Sequence, residues 1–226
     1  MVVLRLLCHR VSKVPQREGF CSPTVLYQGM ASDETNEPER LDHGLSTIPK
    51  LFESIEADGP FTTCIECERD LRPHAQQYLI EKGIRGRETV YEYALCLGCV
   101  LGMRARFSEE SKRDLDAFFD GRADIEARGL ELLATVGPEA GAWIEDCVFC
   151  RRPREECPEY QMYAWCSGAL VLYSILPYFV CGQCIDLIGE VLSTKTIGDI
   201  EDWSDEFLSP PPHLLELLVD TPLKRF

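Results

Sequence analysis

An α+β fold built from two alike units is what this sequence predicts. Three observations carry that expectation. Eight of the twelve cysteines fall into four Cys-x-x-Cys pairs that form two matched sets. Alternating apolar residues mark a β-hairpin inside each set, and a capped amphipathic helix follows it.

Residues 1–59 read as a largely disordered tail. Residues 1–29 are mildly basic and lack any clear period, while 30–59 are polar and acidic apart from one amphipathic patch at 48–55. Met30 opens the run Met-Ala-Ser-Asp-Glu, an ordinary acidic start, so residues 1–29 are expected not to be translated. A secretory signal is not expected either, because Arg5 interrupts the few apolar residues near the N-terminus.

The first unit spans 60–136 and opens with Cys64/Cys67. A polar loop leads to strands over 78–82 and 89–95, with Gly83-Ile-Arg-Gly86 as the turn. Tyr91, Tyr93 and Leu95 alternate with Glu92 and Ala94, the pattern of a half-buried strand. Cys96/Cys99 then lead into helical sequence. Ser108 is placed to cap the next helix, Glu109 and Glu110 suit its first turn, and Leu115, Phe118 and Phe119 form its apolar stripe. A linking helix over 124–135 stops at Gly137-Pro138.

The second unit, 137–209, repeats this plan. Cys147/Cys150 open it, strands over 160–165 and 170–180 meet near Ser167-Gly168, and Cys181/Cys184 close it. Ser193 takes the cap position before Ile197, Ile200, Trp203 and Phe207. Residues 210–226 are a closing segment, in which 213–219 are expected to form a short helix packed on the core.

A shift of 85 residues superposes much of the chain on itself. Tyr78 meets Tyr163, Tyr93 meets Tyr178, Cys96 and Cys99 meet Cys181 and Cys184, and Ser108 meets Ser193. Apolar positions agree as well, Phe118 with Trp203 and Leu115 with Ile200. The leading pairs match at a shift of 83, which puts a two-residue length change before Tyr78. Ordered matches with the cysteines in register point to an internal duplication.

The cysteine spacing carries the chemistry. Two thiols two residues apart can grip one side of a tetrahedral ion, and a second such pair can close the other side. Twenty-eight residues separate the first two pairs and thirty the last two. Six disulfides would be the alternative use of twelve cysteines, but disulfide frameworks seldom arrange eight of them as four identical pairs. A reducing cytoplasm is therefore expected.

A cysteine turn, a hairpin and a second cysteine pair opening a helix together resemble a treble-clef zinc finger, over 61–119 and again over 144–207. The resemblance implies two zinc ions, one held by Cys64, Cys67, Cys96 and Cys99, the other by Cys147, Cys150, Cys181 and Cys184. The family's knuckle often has Pro after its first Cys and Gly after its second. Here the turns read Cys-Ile-Glu-Cys-Glu and Cys-Val-Phe-Cys-Arg. Iron is the alternative metal for four thiolates, and thiol–disulfide chemistry a further option. Arg69, Arg72, Arg151, Arg152 and Arg154 follow the cysteine turns and are candidates to offset the clusters' negative charge.

The function expected is a non-enzymatic, zinc-stabilised interaction or adaptor protein with a protein partner. A formal charge of −15 repels phosphate backbones and makes nucleic acid a poor default partner. The rival reading, a nucleic-acid-associated regulator, needs a local basic face drawn from Arg69, Arg72, Lys82, Arg85, Arg87, Arg104 and Arg106. Residues 160–185 carry no charge. With Gly168, Pro177 and a cysteine pair inside, they read as a buried hairpin rather than a membrane span, and as a surface for homodimerisation. His74 is a weak substitute ligand, Cys157 has no counterpart in the first unit, and Cys166 is expected to be packed. No catalytic residues are expected.

Overall fold

The computed structural model describes residues 44–208. Its centre is a six-stranded antiparallel sheet. The strands are β1 (Leu45–Thr47), β2 (Gln77–Arg85), β3 (Glu88–Cys96), β4 (Glu159–Ser167), β5 (Leu170–Leu172) and β6 (Tyr178–Cys181), in the order β1-β5-β4-β2-β3. β6 pairs with β4 on the same edge as β5, further along the strand. The helices are α1 (Leu97–Arg106), α2 (Glu109–Arg122), α3 (Ile125–Thr135), α4 (Ala140–Trp143), α5 (Gly182–Glu190) and α6 (Thr194–Phe207).

The long strands β2 and β4 pair along their whole length and join the two halves. Residues 78–83 of β2 are buried without interruption, the mark of a strand covered on both faces. α1 packs on β2 and β3, and α5 on β4 and β6. Fully buried Tyr78, Tyr93, Tyr163, Tyr178, Trp143 and Trp203 supply much of the core volume. Glu81 lies among them with no exposed surface, accepting hydrogen bonds from the hydroxyls of Tyr93 and Tyr91. Burial and the adjoining Glu81 charge push both tyrosines up, so their hydroxyls stay protonated and donate.

The apolar second hairpin is used inside the chain. β4 is flanked on both edges, and Tyr163, Ala164, Cys166, Phe179 and Val180 are fully buried. Its composition is thus accounted for by the protein's own core. No helix among the described residues is long and apolar enough to cross a membrane.

Four details differ from the sequence reading. Residues 44–59, set there with the tail, belong to the folded unit. β1 pairs with β5, Phe52 is fully buried, and the buried Lys82 ammonium donates to the Glu53 carbonyl at 2.6 Å. Glu92 does not face solvent as the alternation suggests. Its carboxylate meets Lys82 at 2.9 Å and accepts from Ser54 Oγ and the Ile55 N–H, which fastens this arm to the hairpin. Gly83 is no turn residue: β2 runs on to Arg85, Tyr91 lies against Gly83, and Gly86 alone supplies the left-handed φ of +61° at the turn. The second strand of hairpin two is broken into β5 and β6 around Pro177, which has no N–H to offer a ladder. The tail before residue 44 and the expected helix over 213–219 lie outside the described residues.

The register also moves one correspondence. Tyr78 pairs with Cys96, and its counterpart opposite Cys181 is Tyr160, an offset of 82 rather than 85. Tyr163 therefore occupies the place of Glu81, and these two residues face each other in the β2–β4 ladder. The extra length lies in the second hairpin, not in the loop before Tyr78.

Candidate metal centres

The two cysteine pairs of each quartet are held by different devices. Cys64 and Cys67 sit in a tight turn closed by hydrogen bonds from the Cys64 N–H to the Arg69 carbonyl and from the Glu68 N–H to the Cys64 carbonyl, each 2.9 Å. Cys147 and Cys150 repeat it, with Cys147 N–H to Arg152 and Arg151 N–H to Cys147, again 2.9 Å. Both turns need a left-handed residue after the second cysteine. Glu68 (φ +57°) and Arg151 (φ +59°) adopt it despite their side chains, in the position where the familiar knuckle uses glycine. The two turns share one backbone conformation although neither has glycine there.

The second pairs are held by strand ends. Cys96 ends β3 and is the N-cap residue of α1, and Cys181 ends β6 and caps α5. Both have extended backbone, and Cys99 and Cys184 follow in the first helical turn, on the same side. Main-chain bonds then dock turn to strand. The Ile65 N–H donates to the Ala94 carbonyl at 3.0 Å, and the Val148 N–H to Phe179 at 3.1 Å.

The result is two thiol quartets: Cys64, Cys67, Cys96 and Cys99, and Cys147, Cys150, Cys181 and Cys184. Within each, all sulfur atoms lie within 4.8 Å of one another. Cys67 Sγ is 3.7 Å from Cys96 Sγ, and Cys150 Sγ is 3.6 Å from Cys181 Sγ. A zinc–thiolate bond of about 2.3 Å gives a tetrahedron with edges of about 3.8 Å. These separations fit that edge and are far too long for a disulfide, of about 2.05 Å. All eight thiols are free.

The electrostatics fit a shared cation. The Cys96 N–H points at Cys64 Sγ (3.3 Å) and the Cys181 N–H at Cys147 Sγ (3.4 Å), so a thiolate there has a donor waiting. Burial pushes the Cys147 thiol up to about 11 and also raises Cys64. Burial opposes ionisation of Cys67 too, but the Arg69 N–H and the neighbouring thiols bring it down to about 7. Cys150 is lowered in the same way, against burial, by the Arg152 N–H. Cys99 and Cys184 are driven up by burial and by the thiols beside them. Four thiols this close cannot all ionise alone; a divalent cation removes both the repulsion and the desolvation cost.

The arginines after the turns act on the sulfurs through main-chain N–H groups, those of Arg69 and Arg152. The Arg72 side chain is instead turned to Asp70, which it binds through two nitrogens. The sequence reading missed one buried cation on α3. Arg128 of α3 is buried, donates to the Trp143 carbonyl and stacks over the Trp143 ring at 5.8 Å. Burial lowers its guanidinium to about 10, while Tyr178, Asp146 and Cys147 work in the opposite direction. Its only signal in the sequence is a charge on the inner side of α3, between Ile125 and Leu132.

The other named residues sort cleanly. Cys166 is fully buried, as expected for a packed thiol. His74 is exposed and belongs to neither quartet. Of the seven cations proposed for a basic face, five meet carboxylates: Arg72 with Asp70, Lys82 with Glu92, Arg85 with Glu159, Arg104 with Asp116 and Arg106 with Glu66. No protein-family model, curated protein or solved structure matches this chain.

Proposed function

We propose that this is a zinc-stabilised, non-enzymatic interaction protein of a reducing compartment such as the cytoplasm. It is built by duplication of a treble-clef-like unit and holds two zinc ions. One ion belongs to Cys64, Cys67, Cys96 and Cys99, and the other to Cys147, Cys150, Cys181 and Cys184. The observation that carries this reading is the closure of both quartets. Four thiols offer all four corners of a tetrahedron, so a bound ion keeps no position for substrate or water and serves the fold. Zinc suits this donor set best; iron is the competing ion.

The duplication is supported by reciprocal contacts. Ser108 and Ser193 each cap a helix, and their hydroxyls meet at 2.8 Å. The Ser108 N–H donates to Thr196 Oγ1 and the Ser193 N–H to Ser111 Oγ, at 3.0 and 2.8 Å. Residues 85 apart thus bond to each other as the two sides of a two-fold contact do. The pairing of five candidate cations with acids gives a phosphate-binding face little free charge, and favours a protein partner over nucleic acid.

Native mass spectrometry of the chain purified under reducing conditions tests the metal reading; two zinc ions per chain are expected. Affinity capture with the zinc-loaded and the chelated chain tests the adaptor reading. One protein recovered near equimolar ratio with the loaded form alone is expected. A metal-free yet folded chain overturns the first part. Retention by nucleic acid at physiological salt overturns the second.

A further inference from the structure

The two quartets differ in how far their sulfurs reach solvent. In the first, Cys67 is exposed and Cys99 is half-buried, while Cys64 and Cys96 are each 1 % exposed. In the second, Cys150 alone is exposed, and Cys184, the counterpart of Cys99, is 2 % exposed. A small solvent-borne reagent thus meets two corners of the first tetrahedron but one of the second. Cys67 stands at the end of its turn, before the exposed Glu68. Its Sγ lies 3.7 Å from Cys96 Sγ, too far for a bond but close enough for a small rotation of the exposed side chain to make one. An accessible thiol with a second, shielded thiol beside it is the arrangement that reversible cysteine oxidation needs.

We propose that Cys67 is a site of reversible oxidation, that Cys96 is the thiol that resolves it, and that the first centre is therefore emptied before the second. This rests on the metal reading above only for the release of an ion. The oxidant is hydrogen peroxide, small and uncharged. It transfers one oxygen to the exposed Cys67 thiolate, its O–O bond breaks, and a sulfenic acid and hydroxide result. The Cys96 thiolate then attacks the Cys67 sulfur, the S–O bond breaks, and a second hydroxide leaves. The net change is two thiolates and one peroxide to one disulfide and two hydroxides, which take up two solvent protons as water. Cys64 and Cys99 remain, two ligands where four held the ion, and the ion is released. Reduction of the disulfide by a dithiol restores the quartet. The second quartet holds the matching pair, Cys150 and Cys181, at 3.6 Å. Three of its four corners are buried, so the same chemistry is slower there.

The full chain, loaded with zinc, is exposed to a few equivalents of hydrogen peroxide. Ion count by native mass spectrometry, disulfide mapping by non-reducing digestion and alkylation of free thiols by iodoacetamide are followed together. The expected result is loss of one ion several-fold faster than the other, with a 67–96 cross-link forming in step. Cys64 and Cys99 should then alkylate while the second quartet stays protected, and a dithiol with added zinc should restore both ions. The proposal is overturned if Cys67 still alkylates as a free thiol when the first ion has gone. It is also overturned if the main cross-link joins any other pair, or if the second quartet empties first or at the same rate. Every readout is taken on the unmutated chain, so misfolding of a Cys67 variant cannot blur the outcome. The ion count before peroxide is added tests the zinc reading by itself. The 67–96 cross-link can be mapped in a chain that carries no ion, so the two failures are distinguishable.

Discussion

The two halves solve the same packing problem with opposite chemistry. In the first half the cysteine turn presents Glu66, whose carboxylate accepts the Trp203 indole N–H at 2.9 Å from α6 of the second half. In the second half the corresponding place in the turn is Phe149, which meets Phe118 and Phe119 of α2 edge-on at 5.4 and 4.8 Å. A helix of each half thus clasps the other half's cysteine turn, α6 through a hydrogen bond and α2 through rings. Glu81 and Tyr163 show the same exchange of polar for aromatic at the centre of the sheet. The halves differ in matched pairs: a lone change would strand a buried polar group or open a void.

Removing one of the proposed metal ligands is the strongest way to test whether the halves depend on their thiol quartets equally. A structural zinc site contributes on the order of 10 kcal/mol of apparent folding free energy at neutral pH, more than a typical domain's whole margin. Cys64→Ser and Cys147→Ser should therefore each abolish a cooperative thermal transition. Since β2 and β4 bind the halves into one sheet, neither half should survive alone. A variant that retains a sharp melt for the other half would show two independent units.

The next largest effect tests a contact between the halves, where the linking helix α3 meets the segment between β5 and β6. Gly129 of α3 lies so close to the backbone at Ser174 that a Cβ would stand 1.8 Å from its carbonyl oxygen. Backbone cannot swing aside as a side chain can. Gly129→Ala should cost about 3 kcal/mol, the upper end of overpacking penalties. A denaturation midpoint unchanged from the natural chain would mean that the α3 contact is not formed.

Much of this was legible in advance, for a physical reason. Thiols at fixed spacing, serines before acidic first turns and apolar residues three and four apart are local signals, and the quartets, the caps Ser108 and Ser193 and the stripe of α2 came out where they predicted. What escaped depends on contacts far apart in the chain. Glu92 looks solvent-facing until residues 53–56 fold over it, and Arg128 looks like a surface charge until Trp143 closes on it. The offset of the strands could not be read from identities, because Tyr78 and Tyr163 match by letter while the ladder pairs Tyr160 with Cys181. The left-handed backbone after the second cysteine of each turn was hidden because Glu68 and Arg151 are not the glycine such a backbone favours.

The clasps offer a smaller and sharper probe. Trp203→Phe keeps most of the ring against Tyr93, now 5.2 Å away, but leaves the Glu66 carboxylate without its indole donor. A loss of about 1–2 kcal/mol is expected. Pairing it with Glu66→Phe recreates the second half's ring clasp in the first, and the double variant should recover part of that loss. Additive losses in a denaturant-based double-mutant cycle would show that the two residues are not coupled.

Below that stands the serine contact between the halves. Ser108→Ala and Ser193→Ala each remove a helix cap and one side of the 2.8 Å hydroxyl pair. Each should cost about 1 kcal/mol. Because each hydroxyl serves its own helix and its counterpart, the double variant should lose less than the two single losses together, by about 0.5 kcal/mol. Strict additivity would make the caps independent and remove this link between the halves.

The smallest effect has the opposite sign, and it compares the cysteine turns directly. Glu68 and Arg151 are both exposed and both held in the left-handed region, where a side chain costs about 1–2 kcal/mol relative to the right-handed region. Glycine escapes that steric cost but gives back about 0.5–1 kcal/mol through the greater freedom of its unfolded chain. Glu68→Gly and Arg151→Gly should therefore each stabilise the protein by up to about 1 kcal/mol, alike in the two halves since their φ angles differ by only 2°. Chemical denaturation at fixed zinc concentration reads the change. A gain in one half alone would mean that the other side chain is kept for contacts outside its turn. A loss in both would mean that the left-handed backbone is not the strain it is taken to be.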